Sequence, residues 1–314
     1  MSLNAGSLGR AKGRVGVPAR DTAMSSLRWA VAVLVPLLFA ACSHAAADRT
    51  AGPLRIVATT TTLASIARGA AGTAADVRSL VPVGTSPEDF QPTPDVIAAL
   101  RNADVLVENG VGLESWLDAT IRNAGNPRLR IVVCADGLPV RDGNPHLWMD
   151  PEFARAYAAK IRAALIAADP PHAAAYRATA SGYDRELAAL TARTRAKIAT
   201  IPPGRRTMIV FHNAFDYYAR RFGLRIAGAI EPTAGAEPNP AHVSELVRLA
   251  RSAHVPAVFA EHEYSDKLAR TLAASAGGLT VAFLYDDSLG TDAAVSTYTG
   301  MIDADTDTIV SALR

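Results

Sequence analysis

Short apolar runs alternate with longer amphipathic runs along most of the chain. The short runs are rich in β-branched residues and are bounded by glycine, proline or acidic residues. In order they are LRIVATTT, DVRSLVPV, DVLVENG, RIVVCADG, TMIVFHNA, LRIAGAIEP, AVFAEHEY and LTVAFLYDD. Such runs are typical of buried strands, and the helical spacing between them indicates βαβ units. The pattern therefore predicts an α/β fold of two lobes, each a mostly parallel sheet flanked by helices.

Between the two halves the pattern becomes purely helical. Residues 151–169 predict one helix, which ends at Asp-Pro-Pro because proline cannot continue it. The following run, PHAAAYRATASGYDRELAALTARTRAKIATI, predicts a second helix of about 45 Å at 1.5 Å per residue. A helix of this length predicts a rigid backbone between two lobes. The expected boundaries are an N-terminal lobe over 54–168, a connecting helix over 169–201 and a C-terminal lobe over 202–314.

The N-terminal region has the pattern of an export signal. Arg28 precedes the thirteen residues Trp29–Ala41, which are too few to span a bilayer and suit the apolar core of a signal peptide. Two alanines then precede Cys42, as in a bacterial lipobox, where the cysteine is acylated and becomes the mature N-terminus. We predict a signal peptide with a lipobox over 1–42, with lipidation at Cys42, and a linker over 43–53. Cleavage without lipidation is the alternative.

Residues 1–23 lack the features of a signal peptide, and Met24 is the better start. This stretch is expected to be an extension of the gene model or a disordered segment.

Length, net charge and cysteine content add little to the predicted fold. The 314 residues suffice for two domains of about 150 residues each. The net charge is +2, so we expect neither nucleic-acid binding nor a polybasic membrane patch. Besides Cys42 the chain has one cysteine, Cys134, inside an apolar run. It is expected to be a core residue without a disulfide partner.

Polar side chains follow several of the predicted strands. In open parallel sheets, ligands bind beyond the carboxyl ends of the strands. His146 follows the fourth predicted strand and His212 ends the fifth. The carboxylates at strand ends are Glu88, Asp89, Glu108, Glu231, Glu261, Glu263, Asp286 and Asp287. Two imidazoles and several carboxylates from both halves suit a transition metal in a cleft between the lobes. The alternative for a single histidine of this kind is a structural, hydrogen-bonded residue.

Four segments carry a family resemblance. They are GTSPEDFQPTP, NPHLWMDP, FHNAFDYYARRFGL and FLYDDSLG. From about residue 54 to 314, in the same order, the chain resembles the metal-binding lipoproteins that serve ABC importers of zinc and manganese. The resemblance implies two α/β lobes joined by one rigid helix, with an ion between them. It also implies one ligand from each segment.

The resemblance transfers three ligands directly: His146, His212 and Asp287, which stands just before Ser-Leu-Gly. The first ligand departs from the family pattern D-P-H-x-[FY]-x-P-x-P, because Glu88 occupies the histidine position. We expect Glu88 to bind the ion as a carboxylate, and the alternative is that water takes this place.

Further residues are expected around these ligands without binding the ion themselves: Asp89, Glu261, His262 and Asp286. The remaining histidines are expected to be surface or capping residues: His44, His172, His242 and His254.

The ion itself stays open between zinc and manganese, with iron as a further possibility. Two carboxylates favour manganese, whereas His212 at the third ligand position is the choice of the family's zinc members. The short loop VRDGNP lacks the histidine-rich insertion of many zinc specialists.

The function implied by the resemblance is capture of the ion outside the cytoplasmic membrane and its delivery to an ABC permease and its ATPase. We expect no catalytic cofactor, no enzymatic activity and a monomer that is lipid-anchored or periplasmic. A metal-dependent hydrolase is the main alternative, since loss of one ligand would open a coordination position. No His-Glu-x-x-His motif supports it. An adhesin or a metal store on the same fold is a further alternative.

Overall fold

The computed structural model describes residues 52–231 and 239–314. The predicted signal peptide, Cys42 and most of the predicted linker lie outside these residues. In the described part, two four-stranded parallel sheets follow each other along the chain, and helices flank both. The prediction of a two-lobe α/β fold is confirmed.

The N-terminal sheet has the strand order β2-β1-β3-β4, with all neighbours parallel. Its strands are β1 (Leu54–Ala58), β2 (Ala75–Ser79), β3 (Val105–Glu108) and β4 (Arg130–Val133). Its connecting helices are α1 (Thr61–Ala71), α2 (Pro94–Asn102) and α3 (Leu117–Ala124). The chain runs from β1 to β2 on one side and then crosses back to β3 on the other side of β1. Side chains beyond the carboxyl ends of β1 and β3 meet at this switch point.

Two helices connect the sheets: α4 (Pro151–Ala168) and α5 (Ala173–Ala199). Asp150 caps α4 by accepting a hydrogen bond from the backbone of Glu152. A 3₁₀ turn at Pro170–His172 separates the two helices, so α5 begins slightly later than the predicted boundary. Its 27 residues correspond to about 40 Å.

The C-terminal sheet repeats the strand order of the first as β6-β5-β7-β8. Its strands are β5 (Thr207–Val210), β6 (Arg225–Ala229), β7 (Ala257–Glu261) and β8 (Thr280–Leu284). The helices that follow α5 are α6 (Asp216–Phe222), α7 (Pro240–Ser252), α8 (Lys267–Ser275) and α9 (Tyr298–Leu313). A 3₁₀ turn at Ala293–Val295 precedes α9, which starts after Thr297, whose hydroxyl accepts the backbone N–H of Gly300.

One apolar cluster passes through both halves. It includes Ile56 of β1, Leu165 of α4, Leu187 of α5, Met208 of β5 and Ile309 of α9. The sheets therefore share a core with the connecting helices.

Ion pairs fix the connecting helix on both sides. Arg155 of α4 contacts Asp184 of α5 at 2.8 Å, and Arg193 of α5 contacts Asp303 of α9 at 2.7 Å.

Cys134 is buried as a free thiol. Among the residues for which the structure gives a placement, no helix is both long and apolar enough to cross a bilayer.

Candidate metal centre

Two histidines from different halves of the chain face each other. His146 lies in the loop after β4, directly before the 3₁₀ turn Leu147–Met149, and His212 stands two residues beyond β5. The two residues are 3% and 2% exposed, and their Nε2 atoms are 3.1 Å apart. The fold thus brings together two buried imidazoles that are 66 residues apart in sequence.

The partners of the other ring nitrogens assign the tautomers. His146 Nδ1 lies 2.8 Å from the amide oxygen of Asn144, and His212 Nδ1 lies 2.7 Å from a carboxylate oxygen of Glu261. The same oxygen of Asn144 also accepts the backbone N–H of His146, and the other carboxylate oxygen of Glu261 accepts the backbone N–H of His212, so each histidine is held through both its ring and its backbone. Because these oxygens are acceptors, Nδ1 carries the hydrogen in both rings. The two Nε2 lone pairs therefore point at each other and need a cation, either a proton or a metal ion, between them.

Asp287 completes a compact group with the two histidines. Its Oδ1 lies 3.5 Å from His146 Nε2, and within the described residues both of its oxygens are buried without a hydrogen-bond partner. One ligand atom from each of His146, His212 and Asp287 lies within 4.8 Å of the others. A buried, unpaired carboxylate is costly unless a cation compensates it.

Glu88 approaches this group from the loop between β2 and α2. Its Oε1 lies 3.9 Å from His146 Nε2, and its Oε2 is buried without a hydrogen-bond partner in the described part of the chain. Trp116 holds the loop by donating from Nε1 to the carbonyl of Pro87 at 2.9 Å and by packing edge-on against Phe90. Glu88 thus faces the group but lies outside its tightest cluster.

The surroundings shift the pKa values of the two histidines in opposite directions. Burial and the ring of His212 lower the pKa of His146 to about 3. Burial also disfavours a charge on His212, but the carboxylates of Glu261 and Asp286 outweigh it and hold its pKa well above the ordinary value. In the metal-free protein, His212 therefore carries the proton that lies between the rings, and His146 accepts it.

Burial raises the pKa of the surrounding acids. The pKa of Asp287 rises to about 6, although the nearby charge of His212 opposes the rise. That of Glu261 rises to about 7 through burial and the charge of Asp286. Burial and the charge of Asp287 raise the pKa of Glu88 as well. The site therefore holds more acid than the histidines neutralise, as expected of a place for a cation.

Asp286 and Glu263 extend the acidic surroundings. Asp286 Oδ2 lies 3.5 Å from His212 Nδ1, and its backbone carbonyl accepts from Trp148 Nε1 at 3.0 Å. Glu263 has one buried oxygen without a partner among the residues placed by the structure. Burial and the charge of Asp286 raise its pKa. The sequence put Glu263 at a strand end but gave it no role.

Other candidates lie apart from this group. The His262 ring stacks on Tyr285 at 4.0 Å and packs near Phe283 at 5.5 Å. Asp89 is exposed. His172 pairs with Asp169 at 2.8 Å, and His242 contacts the carbonyl of Ala229 at 2.8 Å. None of these contacts involves His146, His212 or Asp287.

Sequence reasoning missed the residues that support His146. Asn144 holds its ring, and Asn109 donates to the carbonyl of Pro145 at 2.8 Å. Tyr157 in turn donates to Asn109 at 2.6 Å. An amide two residues before a candidate histidine was the only available signal, because Asn109 and Tyr157 are distant in sequence.

Known proteins match most of the chain. A family model described as the periplasmic component A of a zinc-uptake complex (ZnuA) matches residues 56–312. The iron-binding protein YfeA of Yersinia pestis is 33% identical over 268 residues, which cover 83% of this chain and 86% of that protein. The manganese-binding lipoprotein MntA of Halalkalibacterium halodurans is 29% identical over 265 residues, covering 83% and 88%. The solved structure of the periplasmic zinc-binding protein TroA from Treponema pallidum has a TM-score of 0.77 at 25% identity, covering 83% of this chain and 99% of that one. The names of these three proteins mention three different metals: iron, manganese and zinc.

Proposed function

The chain belongs to the family of the periplasmic zinc-uptake component, and we propose that it binds one divalent transition-metal ion and delivers it to an ABC permease. The ion is cargo: it is captured outside the cytoplasmic membrane and released unchanged. The ligands in this proposal are His146, His212, Asp287 and Glu88.

The pair of Nε2 atoms 3.1 Å apart is the observation that carries the proposal. Two nitrogens bound tetrahedrally to zinc at about 2.0–2.1 Å lie about 3.3 Å from each other. The rings are therefore already close to the separation that a shared ion requires. Asp287 Oδ1, 3.5 Å from the first ring, offers the third ligand atom.

Glu88 supplies the fourth ligand in this proposal. A short movement of its side chain toward the rings brings an oxygen that has no other partner in the described residues to the ion. Two carboxylates then neutralise the two charges of the ion, so that a dry site holds no net charge.

The donor set suits zinc or manganese. Two nitrogens and two oxygens are compatible with tetrahedral zinc, whereas bidentate carboxylates give manganese the higher coordination number that it prefers. Relatives named for iron, manganese and zinc support a divalent transition metal without selecting one.

Export and anchoring complete the proposal. Lipidation at Cys42 holds the protein at the outer face of the cytoplasmic membrane, where it works as a monomer beside the permease and its ATPase. The lipoprotein name of one relative supports this arrangement. The chain acts by binding and release, without turnover of a substrate.

Metal content and affinity test the proposal. Purified residues 43–314 are expected to hold about one Zn²⁺ or Mn²⁺ per chain and to melt at a higher temperature with the ion than without it. His146→Ala is expected to weaken binding more than tenfold, whereas His172→Ala, an exposed histidine, serves as the matched control. A metal-free protein whose melting temperature responds to neither ion would refute the proposal.

A further inference from the structure

The segment that carries Asp287 belongs to the C-terminal sheet by sequence but is hydrogen-bonded to the N-terminal lobe. We propose that Thr61 and Ser288 fasten this segment to the N-terminal lobe. Asp287 then stays beside His146 when the cleft opens, and His212 is the ligand that leaves. This inference rests on the proposed function and adds the order in which the ligands dissociate from the ion.

Ser288 is the centre of the fastening. It is 1% exposed, and its hydroxyl oxygen accepts the backbone N–H of Gly84 at 2.7 Å. Gly84 opens the loop that carries Glu88. One hydroxyl therefore links the segments of the first and the last proposed ligands.

Thr61 makes the second link. Its Oγ1 accepts the backbone N–H of Leu289 at 2.9 Å and lies 3.5 Å from the hydroxyl of Ser288. Thr61 is the first residue of α1, three residues after the carboxyl end of β1. The residues that follow Asp287 are thus held by the first helix of the N-terminal lobe.

The residue before Asp287 is also held from the N-terminal side. Trp148, two residues after His146, donates from Nε1 to the carbonyl of Asp286 at 3.0 Å. Tyr298 of α9 donates its hydroxyl to the carbonyl of Trp148 at 2.6 Å. The residue before Asp287 is therefore bonded to the segment of His146, and the residue after it is bonded to the loop of Glu88.

The contacts that lead back to the C-terminal lobe are made by the three residues before Asp287. Leu284 is the last residue of β8 in register with β7, opposite Glu261. The N–H of Tyr285 donates to Asp305 of α9 at 2.9 Å. The carboxylate of Asp286 lies 3.5 Å from His212. Only Tyr285 and Asp286 therefore separate the last residue of β8 from Asp287.

His212 has the opposite attachment. Its backbone N–H and its ring both donate to Glu261 at the end of β7, so the C-terminal sheet holds its side chain. A hydrogen bond from the side-chain amide of Asn144 to the carbonyl of Asn213, at 2.6 Å, has to break before His212 moves with this sheet. Opening the cleft then withdraws one imidazole and leaves a half-site of Asp287, His146 and Glu88. The ion loses a single ligand first, and the fastening controls how fast the others follow.

Dissociation kinetics test the role of the two hydroxyls. Protein loaded with Zn²⁺ is mixed with excess EDTA in a stopped-flow instrument, and release is followed with a zinc-sensitive dye. Thr61→Val removes the hydroxyl at constant volume, whereas Thr61→Ser keeps it. Ser288→Ala removes the second hydroxyl, and Ser296→Ala, an exposed serine a few residues further on, is the control.

We expect release to be at least tenfold faster in Thr61→Val and in Ser288→Ala, and within twofold of the parent in Thr61→Ser and Ser296→Ala. A purely structural role would lower the melting temperature of the metal-free protein without separating Val from Ser in the release rate. If Ser288→Ala does not fold, the Thr61 pair decides alone. Equal rates for Thr61→Val and Thr61→Ser would overturn the inference.

Hydrogen exchange in the metal-free parent gives an independent readout. The amides of Gly84 and Leu289 are expected to stay protected without the ion, and rapid exchange at both would contradict the fastening. If the parent takes up no Zn²⁺ and no Mn²⁺, the proposed function fails and this inference falls with it. If the parent binds the ion and all variants release it alike, only the fastening is wrong.

Discussion

Glu261→Gln is the most informative substitution outside the proposed ligands. The two carboxylate oxygens of Glu261 accept from the backbone and the ring of His212 at 3.2 and 2.7 Å. Glutamine keeps the size of the side chain but offers one oxygen, so one of these donors meets an NH₂ group instead. The change leaves the proposed ligands in place and alters only what orients and charges one of them.

Two opposing effects determine how much Glu261→Gln changes the affinity for the metal. Loss of a partner that orients a ligating histidine typically costs about 10- to 100-fold in metal affinity, or about 1.4–2.8 kcal/mol. However, Glu261 also raises the pKa of His212 and so helps the proton that competes with the ion. Removing its charge lowers this pKa and weakens the competitor. The competitor matters only below the pKa of His212, so the deficit in affinity is smallest in acid and approaches its full size as the pH rises.

Competition titrations against chelators of known affinity measure this deficit at several pH values between 6 and 9. Glu245→Gln, an exposed residue of α7, is the matched control and is expected to bind like the parent at each pH. An affinity unchanged by Glu261→Gln at the highest pH would show that this residue does not support a ligand. A deficit that is the same at every pH would show that it does not hold the proton on His212.

Three further outcomes follow from the same contacts. Calorimetry of Zn²⁺ binding in two buffers with different protonation enthalpies is expected to show at least one proton released per ion at pH 7, because the ion replaces the proton of His212; binding without proton release would contradict the protonation of His212 in the metal-free protein. Glu88→Ala is expected to weaken binding about tenfold or more, while Glu88→His restores it and shifts preference toward zinc over manganese in paired titrations; an unaffected Glu88→Ala protein would mean that this carboxylate is not a ligand. Glu114→Gln is expected to destabilise the metal-free protein by about 1–3 kcal/mol in urea unfolding, because one oxygen of Glu114 accepts from Thr59 and Asn109 and the other accepts the N–H of Gly110 at 3.1 Å, so that one of these donors meets an NH₂ group in the variant; a fully stable variant would refute this account.

The architecture was readable from the sequence because its signals are local. Strands and helices follow from runs of a few residues, and two α/β lobes follow from their order. The start of the connecting helix differed from the expected bound because Pro170 begins a 3₁₀ turn before α5.

The candidate site was readable where a motif names the residue. The motifs around His146, His212 and Asp287 predicted them as ligands, and the structure brings these three side chains together. Their binding of an ion, and that of Glu88, stays a prediction. The supporting contacts were not readable, because they join residues as far apart as Thr61 and Ser288, 227 positions along the chain.

The shared core limits what can enter this molecule. An apolar cluster that passes from Ile56 through Leu187 to Met208 does not part without exposing its surface, at about 25 cal/mol for each Å². The lobes can therefore shift but not swing wide, and two rings 3.1 Å apart admit nothing larger than an atom between them. An ion held between the rings in this arrangement can keep neither an organic chelator nor a full hydration shell. Binding therefore has to strip the ion, so the affinity of the site has to exceed that of whatever held the ion before.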